Sequence, residues 1–545
     1  MPDLLITNGT LFDGMRHRGR GAVAVRGGRI LAVGDPDEVR RAAPPGAEEI
    51  DAAGGLLLPG FQDAHMHPMV GGLERLRCEM TDLSGVDEYL DALASAAQRQ
   101  RGAAWFRGGG WSVGQFGRHG PTAELLDRVV PDKPAFLPSS DHHDAWVNTR
   151  ALELAGITAA TPDPPDGWIE RDEQGHPTGT LREGAQALVW DLVETTREEY
   201  ADALREAQSY LHSWGITGWH DALIGGYAGL DDPTQAYLDL LAAGELTAQV
   251  TASQWWDRAR GPEQVEELLA ERDRLAHHGL HAGSVKVMMD GITETLTASV
   301  EEPWRDAHDC PCGNSGLPFL STDQVRDAVV AIDAAGLQAH FHAIGDKAVH
   351  DALEAVAAAR RANGMRDLRH QVAHLQLVRP ADRRRFLDLG VVANLQGMWV
   401  DRSSGSVAVA LQHLDEERAG WHYPFREILV PGVVAAGGSD WPVNDPEPIA
   451  AVHALVNRSP WSGSGDRPEP LVPGQALDVE RALEAYTAGS AFVSHRADSG
   501  RLRVGDRADL VLLDRDPVTG PVDEIGAAEV VATWVQGDKV FERRS

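Results

Sequence analysis

The residues richest in possible chemistry lie in Leu56-Leu57-Leu58-Pro59-Gly60-Phe61-Gln62-Asp63-Ala64-His65-Met66-His67. An apolar run, a Pro-Gly turn signal and a second short run end in His-x-His. Side chains at i and i+2 of a β-strand share a face. His65 and His67 would then project together, and two neutral imidazoles so placed suit a divalent transition metal. Two unrelated histidines in an ordinary turn would give the same letters, so the rest of the chain has to decide. Three further groups of the right kind end apolar, strand-like runs: His342, His374 and Asp440. Asp440 can touch a metal and take a proton from metal-bound water, whose pKa a metal lowers to roughly 7. Its acid form can protonate a leaving group. Standing before Trp441-Pro442, it also reads as a helix N-cap.

Lys286 is one of four lysines in the chain and sits inside Val285-Lys286-Val287-Met288-Met289. An uncompensated ammonium in such a run is costly. Burial lowers its pKa and leaves a nucleophilic amine. That amine can add CO2 to give a carbamate, a carboxylate-like group able to bridge two metals. A buried ion pair with an acid such as Asp290 stands equally open.

Elements are needed to bring these residues together. Strand-like runs at 285–289, 337–342, 371–374, 391–395 and 433–437 alternate with helical stretches expected over 322–335, 347–362 and 380–389. Such βα alternation implies a parallel sheet with crossover helices, and the number of units suits an α/β fold of the (β/α)8 TIM-barrel type. There the C-terminal ends of all strands meet at one active face. Both chain ends instead read as short strands broken by turns, at 4–6, 21–25 and 29–33 and again at 509–513 and 530–535. Neither end has enough strands alone, so the expectation is a small composite β-sandwich formed by both termini, residues 1–58 with 491–545, around a barrel at 59–490. The Gly-, Pro- and Trp-rich region 74–186 breaks the rhythm and is expected to be an insertion at the barrel mouth. Trp111, His143, Trp146 and Trp399 are expected as pocket walls.

The 545 residues carry 50 basic and 82 acidic side chains, a net charge of -32. That argues against nucleic acid and anionic membranes as partners and leaves a small-molecule substrate. Three cysteines, Cys78, Cys310 and Cys312, do not make a disulfide scaffold. Cys310-Pro311-Cys312 reads as a loop in preference to a metal pair. The first residues lack a basic stretch followed by a long apolar core, and no run is long enough to span a membrane; the expected compartment is the cytoplasm. Oligomeric state stays open, a homo-oligomer included.

Several motifs together resemble the amidohydrolase superfamily. The strand signature is Leu-Pro-Gly-Phe-Gln-Asp-Ala-His-Met-His at 58–67. His342-Ala343-Ile344-Gly345-Asp346 is similar to the "HAIGD" signature of the amidohydrolase-3 branch, which includes N-substituted formamide deformylase. His143 with Trp146-Val147-Asn148, Gly175-His176-Pro177-Thr178-Gly179, Gly438-Ser439-Asp440-Trp441-Pro442-Val443 and Gly505-Asp506-Arg507-Ala508-Asp509-Leu510 extend the likeness nearly end to end. The resemblance implies a TIM barrel with a composite β-sandwich and a mono- or binuclear centre, with zinc as the expected divalent metal at one or two ions per chain. It implies hydrolysis of a C–N bond that is not a peptide bond, in an N-formyl or N-acyl amine, by metal-bound hydroxide. Carried over by residue, His65 and His67 would bind the first metal, the Lys286 carbamate would bridge, and His342 and His374 would bind the second. Asp440 would bind metal and act as general base, and His143 would offer oxyanion stabilisation. His340 could replace His342 or support it. The chain departs from the family at Asp141-His142-His143, at Gln396-Gly397 and at Trp441, positions that touch the pocket. Cyclic amide opening or deamination of a heterocycle on the same barrel is the alternative chemistry, and a non-catalytic metal-binding barrel is the alternative class.

Overall fold

A computed structural model describes residues 1–80, 83–117, 119–226, 232–305, 312–463 and 468–544. Eight parallel strands form the centre: β1 (Phe61–Met66), β2 (Ile216–Ile224), β3 (Gln249–Trp255), β4 (His281–Met288), β5 (Gln338–Ala343), β6 (Gln371–His374), β7 (Val392–Leu395) and β8 (Ala435–Gly437), hydrogen-bonded in sequence order. Just beyond the strand ends, β8 closes on β1: the Asp440 amide donates to the His65 carbonyl at 2.7 Å and the His67 amide to the Trp441 carbonyl at 2.7 Å. The result is a (β/α)8 barrel.

The period-2 geometry of the strands sorts their side chains. On β5, Ala339, Phe341 and Ala343 join the main apolar core, while Gln338, His340 and His342 alternate with them. On β4, Val285 and Val287 lie in that core and Lys286 alternates with them. Burial of each large apolar side chain contributes roughly 1.5–3 kcal/mol. The outward faces therefore stabilise the shell, and the inward faces are left to polar groups. Among the helices, Thr322–Ala334 and Asp346–Asn363 follow the expected spans. The expected helix over 380–389 is two short pieces, Pro380–Arg383 and Arg385–Leu389.

Both chain ends build one composite β domain. Its strands are Leu4–Phe12, His17–Arg26, Arg29–Gly34, Glu48–Asp51 and Leu56–Pro59 from the first part, and Leu510–Leu513, Val530–Val535 and Asp538–Glu542 from the last. Leu4, Ile6, Val23, Val25, Leu57, Leu510, Leu512 and Trp534 share an apolar core of their own. The last hairpin turns on Gln536 and Gly537, both at positive φ, as a two-residue turn between twisted strands requires. Leu56–Pro59 pairs with Leu510–Leu513, and after Gly60 the chain enters the barrel as β1. A Cβ at Gly60 would run into the Thr217 side chain, so the Pro59-Gly60 step passes the chain between the two bodies at van der Waals distance.

Between β1 and β2 stands a five-stranded sheet of Phe106–Arg107, Ala135–Pro138, Asp144–Val147, Gly167–Arg171 and Pro177–Glu183. It has two apolar clusters of its own. Trp111 and Trp146, expected as pocket walls, are fully buried in one of them. Their indole nitrogens donate to the Leu137 and Thr122 carbonyls at 2.7 and 2.8 Å. They are core residues because a local backbone carbonyl answers each N–H. Cys310 lies outside the described residues; Cys312 is an exposed free thiol.

Candidate active site

The site forms where β1 meets β8. Asp63 on β1 accepts the His65 amide through Oδ1 at 2.9 Å and the Ser439 amide through Oδ2 at 2.9 Å. One buried carboxylate thus fixes the end of β1 against the turn that carries Asp440. Asp440 has φ +61 and no helix starts there, so the N-cap expectation fails. A non-glycine residue in the left-handed region costs of order 1–3 kcal/mol and persists only where its surroundings hold it; here those are its own amide bond to His65 and the Val443 amide donated to its carbonyl at 2.8 Å. The turn brings Asp440 Oδ1 to 3.2 Å from His65 Nε2 and 3.4 Å from His67 Nε2. His374, also at positive φ (+77), is held by its amide bond to Gln396 Oε1 at 2.6 Å. Its Nδ1 lies 3.9 Å from Asp440 Oδ2.

Lys286 Nζ is 3.1 Å from His65 Nε2. Burial lowers its pKa to about 8 against the opposing charges of Asp440 and Asp221. Asp290 does not pair with it. Asp290 instead accepts the Ser299, Gly345 and Ile344 amides at 2.8, 2.8 and 3.1 Å, and so aligns the ends of β4 and β5. His342 stands beside that junction, its ring 4.4 Å from the His374 ring. His340 takes the supporting place: its Nε2 is 2.7 Å from His65 Nδ1 and its Nδ1 is 3.0 Å from Ser253 Oγ, which reaches His220 Nε2 at 2.8 Å. Such a chain orients the His65 ring and leaves Nε2 as its outward nitrogen.

His65, His374 and Asp440 offer ligand atoms that all lie within 4.8 Å of one another. Both ring nitrogens of His374 and Oδ1 of Asp440 are buried without a hydrogen-bond partner among the described residues. Buried polar atoms normally find partners, and neutral imidazole with carboxylate is a donor set suited to a divalent transition metal. Burial, the Lys286 charge and neighbouring imidazoles keep the His65 ring well below its ordinary pKa, hence neutral. Burial alone would raise Asp440, but the neighbouring His67 and His374 imidazoles and the Lys286 charge hold it below the usual carboxylate range. The residues present fit a metal.

His65, His67, Lys286, His342, His374 and Asp440 all line one cavity of about 740 Å³. Trp399 lines it too, stacked on His374 at 4.8 Å. The five-stranded insertion supplies the opposite wall with Asp141, His142, His143, Glu183 and, beyond the sheet, Trp190. His143 Nδ1 is 2.8 Å from Glu183 Oε2. Burial alone would lower this imidazole, yet the charge and hydrogen bond of Glu183, with Asp141 and Asp144, raise it to about 9. The wall therefore presents a cation to whatever occupies the cavity.

A family model described as "Amidohydrolase family" matches residues 48–541. The chain belongs to the amidohydrolase family. A shorter match, to an imidazolonepropionase-like composite domain of bacteria, covers residues 21–45, within the composite β domain. This amidohydrolase is 30% identical to an N-substituted formamide deformylase of Arthrobacter pascens, over 100% of its own length and 99% of the relative's. It is 31% identical to the Arabidopsis thaliana protein LONG AFTER FAR-RED 3, over 99% and 91%. Among solved structures, an uncharacterized metal-dependent hydrolase of Pyrococcus horikoshii OT3 superposes with a TM-score of 0.73 at 25% identity, covering 95% of this chain and 99% of that one. The protein is a metal-dependent hydrolase acting on carbon–nitrogen bonds, and its site is suited to a divalent metal.

Sequence reasoning overlooked Asp63 and Glu183. Asp63 stood in plain view two residues before His65, and the i, i+2 rule that singled out the histidines also puts it on their face. Glu183 carried no local signal.

Proposed function

We propose that this amidohydrolase hydrolyses a non-peptide amide, an N-formyl or N-acyl amine, at a centre of one or two zinc ions held by His65, His67, Lys286, His342, His374 and Asp440. The observation that carries the proposal is the convergence of His65, His374 and Asp440 within 4.8 Å, with buried donor atoms left unpartnered. A bound divalent ion there supplies Lewis acidity and makes water acidic enough to attack near neutral pH. Asp440, held ionised, accepts the proton of the attacking water and returns it to the departing amine nitrogen. His143 faces the same cavity as a cation and donates to the oxyanion that develops on the carbonyl. Lys286, with its pKa near 8, keeps the neutral fraction that carbamate formation needs. The likeness to a named formamide deformylase along nearly all of both chains supports the substrate class.

The test joins two measurements. Elemental analysis of protein purified without added metal or chelator should find about one to two ions per chain, two where Lys286 bridges. A panel of N-formyl and N-acyl amines, read by amine release, should find turnover that Asp440→Asn abolishes while metal content holds. No metal before or after reconstitution would overturn the proposal.

A further inference from the structure

We propose that Glu183 is a positioning residue for this hydrolysis: it grips Nδ1 of His143 and leaves Nε2 as the ring nitrogen open to the reacting carbonyl. This rests on the proposed oxyanion role of His143. Glu183 ends the strand Pro177–Glu183 with φ 48 and ψ -127, a conformation that a non-glycine residue enters only at a cost of order 1–3 kcal/mol. That twist lets one residue hold His143 twice. Its amide donates to the His143 carbonyl at 2.7 Å, and its carboxylate Oε2 is 2.8 Å from His143 Nδ1.

The second carboxylate oxygen is placed with equal care. Oε1 lies 2.9 Å from Thr297 Oγ1, which also accepts the Ile292 amide at 2.8 Å. The carboxylate is thereby tied to the loop that follows β4. A Cβ at Gly291 would stand 2.6 Å from Oε1, so that loop comes as close to Glu183 as a glycine allows. The side chain is 5% exposed and its ion-pair partner among the described residues is His143. A carboxylate buried to that degree needs its cation, and the cation it has borders the catalytic cavity. His143 Nε2 has no hydrogen-bond partner among the described residues. Its ring centroid lies 5.8 Å from that of His342, on the cavity side.

Glu183→Gln keeps the shape and removes the charge. The expected result is a fall in kcat of about ten- to a hundredfold with KM changed less than about threefold and metal content at the parental value; removal of the donor itself, His143→Ala, should cost about 10²–10³. Because Glu183 acts through His143, Glu183→Gln should cost less than about twofold more in the His143→Ala background. Thr297→Val, which cuts the tie from Oε1 to the barrel loop and also leaves the Ile292 amide without that acceptor, should lower kcat clearly less than Glu183→Gln. If His143→Ala loses activity and Glu183→Gln does not, Glu183 has no positioning role and the proposed function stands. If neither changes kcat, the oxyanion role fails together with this proposal. Equal losses of kcat from Thr297→Val and Glu183→Gln would make Glu183 a mere latch and overturn it. Should Glu183→Gln not fold, Glu183→Asp, which withdraws the charge by one methylene, must lower kcat with KM held.

Discussion

His65, Lys286, His342 and His374 stand on or at the end of barrel strands, each in a register set by its neighbours: Lys286 opposite His340, Met288 opposite His342, Ala343 opposite His374. His143 and Glu183 stand on the rim of a separate five-stranded sheet, and their alignment follows from the pairing of Arg182 with Asp144 one step away. Both regions face the same cavity, yet they contribute different things. The barrel brings the neutral imidazoles of His65, His342 and His374 and ionised Asp440. The insertion brings a cationic imidazole and its carboxylate, with Trp190 just beyond the sheet. The proposed metal-holding residues stand on the eight-stranded barrel, and the His143–Glu183 pair that faces them stands on an added sheet.

The sharpest test of that division is Asp440→Asn, which should lower kcat by about 10³-fold or more, the scale of losing a general base with its electrostatic support. Metal content should be retained; steady-state kinetics with elemental analysis would check both, and near-parental turnover would break the assignment. Next in size is Gly438→Ala. The added Cβ would sit 2.8 Å from His65 Cβ and 2.9 Å from Asn394 Oδ1, overpacking at a cost of about 1–3 kcal/mol. It should lower both Tm and metal content, whereas full metal binding would show that the rim is softer than its bracing implies. On the insertion side, Trp190→Ala should raise KM by about tenfold with kcat within about threefold, the mark of lost uniform binding. A fall confined to kcat would move Trp190 to the barrel's side of the comparison.

The smallest expected effect concerns pH. Burial, with the Asp445 charge, raises Glu447 to about 7, against an ordinary value near 4.5. Between those values the folded chain binds the proton more tightly than the unfolded one. The stability from this group is full below about pH 4.5 and is lost as pH rises through about 7. Glu447→Gln removes that slope. Between pH 5 and pH 8 its Tm relative to the parent should therefore rise, by on the order of 1–3 °C, in parallel thermal melts. A flat difference would show that Glu447 is better solvated than its surroundings suggest.

The two regions were unequally legible. Period 2 and the βα rhythm exposed the barrel, because a parallel strand covered on both faces writes its apolar run into the sequence. His65 and His67 followed from the same rule. His340 was visible as a neighbour of His342, but whether it binds or supports depended on His65 Nδ1 lying 2.7 Å from it, a contact across 275 residues. In the insertion, tryptophan type alone did not separate wall from core. Trp399 lines the cavity and Trp111 and Trp146 do not, and the difference is which backbone carbonyls lie within reach of each indole.

By itself, the sequence determined the element rhythm, the family motifs and the residue types at the strand ends. These follow from local rules of spacing, turn chemistry and burial that operate over a few residues. Only the tertiary structure decided that Asp63 clamps β1 to the Asp440 turn, that Asp290 serves the backbone and not Lys286, and that Glu183 holds His143. Each of those is a contact between segments far apart in the chain. Its partner is selected by strand register and loop closure, to within the few tenths of an ångström that separate a hydrogen bond from none.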